Sequence, residues 1–292
     1  MLIGDVMLQI INDFEKKTKP EVKKEYYKLA CGKEIPIYTI ESINHLNQFI
    51  GFGKYINCKT HNVYIRGQVD LYNGAIIPSL FRNKKNLLQT TQKFNERLNK
   101  TLKLNSFKQF PKPILEATIQ HYGIRTPQID LVDNVWIALW FATNEFTSKT
   151  IKTTEHVFVS KSSREYGYIF LIASDAITPS DEHRGMYIGK ETTVIDLRKA
   201  LPSYYLRPHA QHAYMLKKRE ELSSDYSDLV VGIAKIPVNK ALQWIGEAEL
   251  LSVSSLFPSP VFDAGYEVLL KSYPENGPDV VCYMGSIQHI TD

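Results

Sequence analysis

The stretch that most constrains the fold is "DNVWIALWFATNEF", residues 133–146. Its residues are apolar on nearly every face of a helix, and a helix of that kind lies in the interior of a protein. Asp133 or Asn134 can cap its first turn, because a short polar side chain accepts hydrogen bonds from the free N–H groups there. The sequence therefore predicts a buried helix near the middle of the chain.

The pattern around this helix changes along the chain from helices to strands. Apolar residues at helical spacing predict helices at about 3–17 and 85–104, in "SINHLNQFIG" with an end near Gly51, and in "PILEATIQHYG" from Pro113 to Gly123. Strands are predicted for "IPIYTI", "NVYIRG", "YGYIFLIA", "TTVIDL", "LVVGIAKIPV" and "DVVCYMG", with a helix in "NKALQWIGEAEL". We therefore expect an α+β fold, in which a helix-rich N-terminal half packs on a mixed, largely antiparallel sheet formed mainly by the C-terminal half. No shift in composition marks a boundary, which favours a single domain over residues 1–292.

Composition excludes several classes of protein. Hydrophobic residues make up 43% and charged residues 23%, which is ordinary for a globular protein. No apolar run is long enough for a membrane span, and the N-terminus lacks a basic start and a small-residue cleavage site. Cys31, Cys58 and Cys282 are far apart and odd in number, which fits neither a disulfide framework nor a zinc site. We expect a cytoplasmic protein.

Positive charge is concentrated in one segment, although the formal net charge is only +4. Between residues 82 and 112 the single acidic residue is Glu96, and the basic residues are Arg82, Lys84, Lys85, Lys93, Arg97, Lys100, Lys103, Lys108 and Lys112. Such a segment attracts polyanions through counterion release. The alternative is a solvated helix surface, so the charge permits a nucleic-acid partner without requiring one.

The strand "VYIRGQ" ends on polar residues. Alternation places Tyr64 and Arg66 on the same face of the strand. Gly67 leaves space beside the guanidinium, and Gln68 adds a donor and an acceptor. An arginine at this position can bind a phosphate in a bidentate manner, and the alternative is an ion-paired surface arginine. A second arginine, Arg82, closes the "PSLFR" segment that follows.

A second polar cluster precedes the buried helix. Gln120, His121 and Tyr122 end one predicted helix, and Thr126 and Asp130 lie in the predicted loop after it. Polar groups between apolar helices need partners, since an unsatisfied buried group costs about 1–3 kcal/mol. These residues therefore either form a structural hydrogen-bond network or line a pocket.

A third cluster lies in "LRPHAQHAYM", residues 206–215. His209 and His212 have a spacing that can place two imidazoles on one helical face, but no third ligand stands nearby, so a metal site is not favoured. Arg207 and Gln211 repeat the arginine and glutamine chemistry of the first cluster.

Taken together, the clusters resemble the FRG domain family, whose aromatic-Arg-Gly motif is usually continued by Gln or Glu and by a Pro-Ser-Leu-x-Arg element. The matching elements are Ile65–Gln68, "PSLFR", "QHYG" with Thr126 and Asp130, "IALWFA", Arg207 with Gln211, and "SLFP". The resemblance runs from about residue 60 to 270 and implies an N-terminal segment at 1–58, an FRG core at 59–270 and a terminal strand at 271–292. The sequence departs from the family pattern at Ile65 in place of the aromatic, at Leu131 and Val132 in place of an aromatic and a threonine, and at Ala213 in place of a glycine.

The family resemblance implies a protein of a bacterial conflict system, such as a phage-defence system. "VYIRG" also resembles the first-strand Arg-Gly of ADP-ribosyltransferases, which bind NAD through that arginine and usually need a late catalytic glutamate. Glu191 and Glu267 are the candidates for that glutamate.

The leading hypothesis is an enzyme that breaks an N-glycosidic bond at C1′ of a nucleotide, with a modified base in DNA as the lead substrate. Asp130 would stabilise the oxocarbenium-like state or activate water, and His121 would act as acid or base. Phosphate and nucleotide contacts are predicted for Arg66, Gly67, Gln68, Arg82, Gln120, Tyr122, Thr126, Arg207 and Gln211. Base stacking is predicted for Tyr64 and Trp140.

Three alternatives stay open at this point. In the first, the chain would be an NAD-dependent ADP-ribosyltransferase or NAD hydrolase. In the second, it would bind a nucleotide or nucleic acid as a sensor. In the third, the polar residues would form a purely structural network. No metal or cofactor is expected, except NAD if the transferase alternative holds. The expected partner is DNA or another nucleotide-containing ligand, and a partner protein of a defence system is a further candidate. No membrane partner is expected.

Overall fold

A computed structural model of the chain describes residues 8–103, 110–151, 154–220, 222–246, 249–259, 261–267 and 282–283. The helices are α1 (Ile43–Asn57), α2 (Leu87–Leu102), α3 (Lys112–His121), α4 (Val135–Thr143), α5 (Leu197–Ala200), α6 (Leu206–Ala210), α7 (Val238–Ile245) and α8 (Val253–Leu256). The strands are β1 (Lys23–Lys28), β2 (Glu34–Thr39), β3 (Asn62–Gln68), β4 (Ile129–Val132), β5 (Asn144–Ile151), β6 (Thr154–Lys161), β7 (Tyr166–Ser174), β8 (Thr178–Pro179), β9 (Met186–Ile188), β10 (Thr192–Asp196), β11 (Ala213–Lys218), β12 (Val230–Pro237) and β13 (Cys282–Tyr283). Short 3₁₀ turns lie at Glu15–Lys17, Tyr72–Gly74, Ser227–Leu229 and Glu249–Leu251.

One large sheet organises the described part of the chain. It has ten strands in the order β1-β2-β12-β7-β3-β4-β11-β10-β9-β8. The pair β2/β12 is parallel and the other described pairs in this sheet are antiparallel. The sheet takes most of its strands from the second half of the chain. The predicted α+β fold, with a mixed and largely antiparallel sheet, is therefore confirmed.

The buried central helix is also confirmed, as α4. Its N-cap is Asn134, whose side-chain oxygen accepts hydrogen bonds from the backbone N–H of Trp136 (2.9 Å) and of Ile137 (3.4 Å). These bonds satisfy two of the N–H groups that a helix leaves free at its start. The helix lies across β3 and β7 in the principal hydrophobic core.

The end of α4 lies earlier than predicted, because polar side chains close the last turn. The hydroxyl of Thr143 donates to the carbonyl of Leu139 (2.9 Å), and the Asn144 side chain donates to the carbonyl of Trp140 (2.7 Å). Strand β5 begins at Asn144 and pairs with β6, so residues 144–146 lie on a hairpin and not on the helix.

Two further predictions were wrong in part. Residues 8–14 are not helical and are followed by a short 3₁₀ turn, while the start of the helix predicted at 3–17 lies outside the described residues. Helix α1 does not end near Gly51 but continues to Asn57. Glycine at position 53 serves packing, since a Cβ there would lie 2.6 Å from Leu171 Cδ1.

Of the terminal segment 271–292, the structure describes only Cys282–Tyr283, which pair with β6, so the predicted strand lies almost wholly outside the described residues. Among the helices that the structure describes, none has the length and apolar character that a bilayer crossing requires.

Replacing Asn134 with alanine is expected to lower the free energy of unfolding by about 1 kcal/mol, because it removes the N-cap of α4. Chemical denaturation of the two proteins measures this difference. The control is Asn12→Ala, whose exposed side chain makes one long hydrogen bond of 3.5 Å to the carbonyl of Ile10. Equal losses in the two variants would contradict the capping role.

Candidate active site

The site lies where two neighbouring strands of the sheet separate. β3 and β4 share one residue pair, Ile65 with Val132, whereas each strand is fully paired along its other edge, with β7 and β11. Beyond that pair the strands open into a cleft of about 700 Å³. The cleft is closed by the loop at 69–86, the end of α3 and the junction of α4 with β5. A volume of this size is typical of sites for small organic ligands.

Arg66 spans the gap between the separated strands. Its Nη1 donates to the backbone carbonyl of Asp130 (2.6 Å), and its Nε donates to Oε1 of Gln68 (2.7 Å). Burial lowers the pKa of Arg66 to about 10, Asp130 acts in the opposite direction, and Arg82 lowers the pKa further. The guanidinium is therefore charged at neutral pH and has N–H groups left to donate into the cleft.

Arg82 brings a second positive charge to the same cleft. Its Nε donates to the carbonyl of Ile77 (3.3 Å), and the side chain is otherwise exposed. Within the described part of the chain neither Arg66 nor Arg82 forms an ion pair, whereas Arg164, also in the cleft, is paired with Asp70 (2.6 Å). Two guanidiniums without ion pairs in one cleft offer the charge and the N–H donors that an anion needs.

The "PSLFR" and "QHYG" elements meet at Thr126. The backbone N–H of Leu80 donates to the carbonyl of Thr126 (3.1 Å), and the N–H of Thr126 donates to Oγ of Ser79 (3.3 Å). The hydroxyl of Thr126 in turn donates to Oε1 of Gln120. Thr126 is fully buried, so it supports the site from behind and does not face a ligand.

Asp130 is the exposed carboxylate of the cleft. It belongs to β4, paired with Met215 of β11, and not to a loop as predicted. Nε2 of Gln120 donates to Oδ2 of Asp130 (3.0 Å), and Gln120 itself is buried. Gln120 therefore holds the carboxylate at the cleft surface, next to Arg66.

His121 lines the cleft but is 92% buried, with 8% of its surface exposed. Burial, together with the charge of Arg207, lowers the pKa of His121 to about 3, although a backbone hydrogen bond to Arg207 acts in the opposite direction. The imidazole is therefore neutral at pH 7. The predicted acid–base role near neutral pH does not fit this environment. A group with so low a pKa lacks the proton that an acid donates there, and the same low pKa makes the neutral imidazole a weak base.

Arg207 is fully buried and does not line the cleft. Its guanidinium lies over the rings of Tyr122 (4.8 Å), Tyr266 (4.7 Å) and Phe257 (5.5 Å), and its Nη1 donates to the carbonyl of His121 (3.2 Å). The phosphate contact predicted for Arg207 is therefore replaced by a structural role in the core.

Tyr122, like Arg207, has a structural role in the core and does not line the cleft. Its hydroxyl donates to the buried carboxylate of Asp263 (2.8 Å), which also accepts from the backbone N–H of Arg207 (2.9 Å). Burial and Asp263 raise the pKa of Tyr122, so the hydroxyl stays a donor. With 1% of its surface exposed, Tyr122 holds the end of α3 against the segment that contains Asp263.

Neither predicted stacking residue lies on the cleft wall. Tyr64 is in the core, with its ring 4.9 Å from that of Tyr214. Trp140 is 5% exposed and packs behind Phe146, at 6.1 Å between ring centres, and Phe257, at 5.9 Å.

Two further predicted residues do line the cleft, with different roles. Gln211 donates from Nε2 to the carbonyl of Leu256 (2.5 Å). Gly67 faces α4 with its free side, because a Cβ there would lie 1.8 Å from the carbonyl oxygen of Ala138. The glycine therefore permits helix packing, and the space beside Arg66 is not its main contribution.

The structure also places residues in the cleft that were not predicted from the sequence: Tyr72, Phe141, Glu145, Phe146, Arg164 and Phe257. Phe146 and Glu145 were predicted to belong to the buried helix, so they were not considered as residues of a site. The available signal was the change to polar residues in "NEFTSKTI", where one phenylalanine in a polar strand suggests an exposed ring. The glutamates named for the transferase alternative, Glu191 and Glu267, do not line the cleft.

No group of three or more histidine, cysteine, aspartate or glutamate side chains could hold a metal ion within the described ranges, and that includes His209 and His212.

The fold and the cleft together define an α+β protein whose candidate site combines two arginines with a carboxylate and aromatic rings. Residues 61–150 match the family model of the FRG domain, which supports recognition of an FRG domain in this part of the chain. The matched range contains Arg66, Arg82 and Asp130, whereas Gln211 lies after it. No curated protein and no solved structure matches the chain. The division into segments 1–58, 59–270 and 271–292 stays a prediction.

Proposed function

We propose that the cleft binds a nucleotide within a DNA strand and hydrolyses its N-glycosidic bond, as part of a defence-type protein. The observation that supports this most strongly is the arrangement of Arg66, Arg82 and Asp130 in one cleft. Two guanidiniums without ion pairs suit a phosphodiester, and an exposed carboxylate beside them suits the positive charge that develops at C1′. The FRG domain fits such a defence role.

The reaction needs little from the protein beyond positioning and charge. Water adds to C1′, the bond between C1′ and the base nitrogen breaks, and the base leaves with the electron pair. The proton lost by the water ends on the departing base, so the net reaction is a hydrolysis. Asp130, held by Gln120, stabilises the oxocarbenium-like state or accepts the proton of the water.

DNA is preferred to a free nucleotide because the basic segment continues from the cleft. Arg82 lines the cleft, and Lys84 and Lys85, which follow it, are exposed. On α2, Phe94 and Leu98 face the core, whereas Lys93 and Lys100 are exposed. A strand bound at Arg82 can therefore continue along a positively charged surface, and its affinity should fall steeply with salt.

The test is to incubate the protein with plain DNA, with modified-base phage DNA and with NAD, and to follow products by mass spectrometry. We expect a free base from one of the DNA substrates. Asp130→Asn should slow its release by at least about 100-fold, since the carboxylate would stabilise charge formed only in the transition state. Arg66→Ala should weaken DNA binding, because it removes a phosphate contact.

The matched control is Asp181→Asn, an exposed aspartate that does not line the cleft, and it should leave the rate unchanged. Thermal unfolding of each variant shows whether it is folded. Absence of free base from both DNA substrates would overturn the proposal. An Asp130→Asn protein with the parent rate would remove Asp130 from the mechanism.

One observation favours NAD as a second candidate substrate. The transferase or NAD hydrolase alternative needs a glutamate near the arginine that binds NAD, and the cleft contains Glu145. Its Oε1 accepts from the hydroxyl of Ser162 (2.6 Å), which fixes the carboxylate. Release of nicotinamide that is lost in Glu145→Gln, with no base released from DNA, would decide for this candidate. Binding of DNA or NAD without any product would instead favour the sensor alternative.

A further inference from the structure

The cleft has an aromatic wall, made of Phe141, Phe146 and Phe257. The rings of Phe141 and Phe146 are stacked, with centres 6.0 Å apart and planes 19° apart. Phe257 meets Phe146 at 5.9 Å and Phe141 at 6.3 Å, both edge to face. The three rings come from α4, from β5 and from the residue after α8, so elements far apart in sequence build one surface.

Phe146 is the ring of this wall that is available to a ligand. It is 42% exposed, although it belongs to a cluster whose other members are largely covered. Trp140 packs behind it at 6.1 Å and limits its movement. A large apolar ring held rigidly at the edge of a polar cleft offers a π-face for stacking.

We infer that the aromatic wall receives an unpaired nucleobase, stacked on Phe146, from a DNA strand whose phosphate lies on Arg66 and Arg82. This inference rests on the proposed function and adds the form in which the substrate is presented. The charge in the same cleft selects this occupant, because an aliphatic or lipid ligand would leave both guanidiniums without a partner.

Inside a duplex, the neighbouring bases cover both faces of each base. A base that leaves this stack to reach Phe146 also leaves its pairing partner. Stacking on Phe146 therefore requires a single strand or a base turned out of the helix. A mismatched, modified or single-stranded base leaves its stack at the lowest free-energy cost, so the wall would also favour such bases.

The test measures binding of three labelled ligands: a single-stranded oligonucleotide, an abasic strand with the same number of phosphates, and a fully paired duplex. We expect the base-bearing strand to bind about tenfold more tightly than the abasic strand, and well-paired duplex to bind more weakly than the single strand. Phe146→Ala should abolish the preference for bases, whereas Phe146→Trp should keep it. Binding to the abasic strand should be unchanged in both variants.

The control variant is Tyr55→Ala, which removes a ring that is 75% exposed on α1, outside the cleft, and it should bind like the parent. A Phe146→Ala protein that keeps the preference for bases would overturn the inference, as would a parent that binds abasic and base-bearing strands equally. The readout is binding, so it is independent of catalysis. If no base is ever released but Phe146→Ala loses the preference for bases, the proposed reaction is contradicted, whereas the inferred base binding at the aromatic wall is supported.

Discussion

Replacing Gly67 with alanine is expected to lower the free energy of unfolding by about 3 kcal/mol, at the upper end of what overpacking costs. The new Cβ would lie 1.8 Å from the carbonyl oxygen of Ala138 and 3.0 Å from the backbone nitrogen of Ala142. Both atoms belong to the backbone of α4, so no flexible side chain can move aside. Gly167 on β7 faces the same helix, where a Cβ would lie 2.3 Å from the carbonyl oxygen of Ala142. The helix can rest on the sheet only because both strands carry glycine there.

The matched control is Gly51→Ala, in the interior of α1, where a Cβ would meet no atom within 4 Å. Alanine is the better helix former by about 1 kcal/mol, so this variant should be more stable than the parent. Urea unfolding of the three proteins measures the two differences. A Gly67→Ala protein as stable as the parent would show that α4 does not press on β3. Because the strands separate directly beside Gly67, we also expect this variant to lose ligand binding at Arg66.

Much of the fold could be predicted because its signals are local. The buried helix and the long strands are runs of apolar residues, and their capping residues stand beside them in the sequence. Strand β4 was missed because Ile129–Val132 is too short to show a period and exists only through pairing with β11. The end of α4 was missed because it depends on side-chain hydrogen bonds from Thr143 and Asn144, which an apolar pattern does not contain.

For the candidate site, the sequence indicated the polar elements but not which of them face the cleft. Arg66 and Arg207 stand in similar motifs, yet one is open to the cleft and the other is enclosed by three rings. The difference arises from tertiary contacts, above all from Phe257, which is far away in sequence. The aromatic wall could not be predicted from the sequence for the same reason, since Phe141, Phe146 and Phe257 meet only in the folded chain.

Lowering the pH from 7 toward 3 is expected to destabilise the protein through His121 by about 4 kcal/mol, a figure obtained from its pKa shift. Burial and the charge of Arg207 lower the pKa of His121 from 6.5 to about 3. Between these values the unfolded chain binds a proton that the folded protein excludes. The contribution to stability is therefore fully present above the unfolded pKa, decreases as the pH falls below it, and is lost at the folded pKa.

The measurement is the free energy of unfolding of the parent and of His121→Gln, taken from denaturant titrations between about pH 7 and pH 4. Carboxylates contribute to the slope of the unfolding free energy against pH in both proteins. The difference between the two slopes therefore isolates the contribution of His121. We expect the parent slope to be steeper by about 1.4 kcal/mol per pH unit, the value for one proton. Equal slopes for the parent and His121→Gln would mean that the imidazole is protonated as easily in the folded protein as in the unfolded chain, and would make His121 available again as an acid in the cleft.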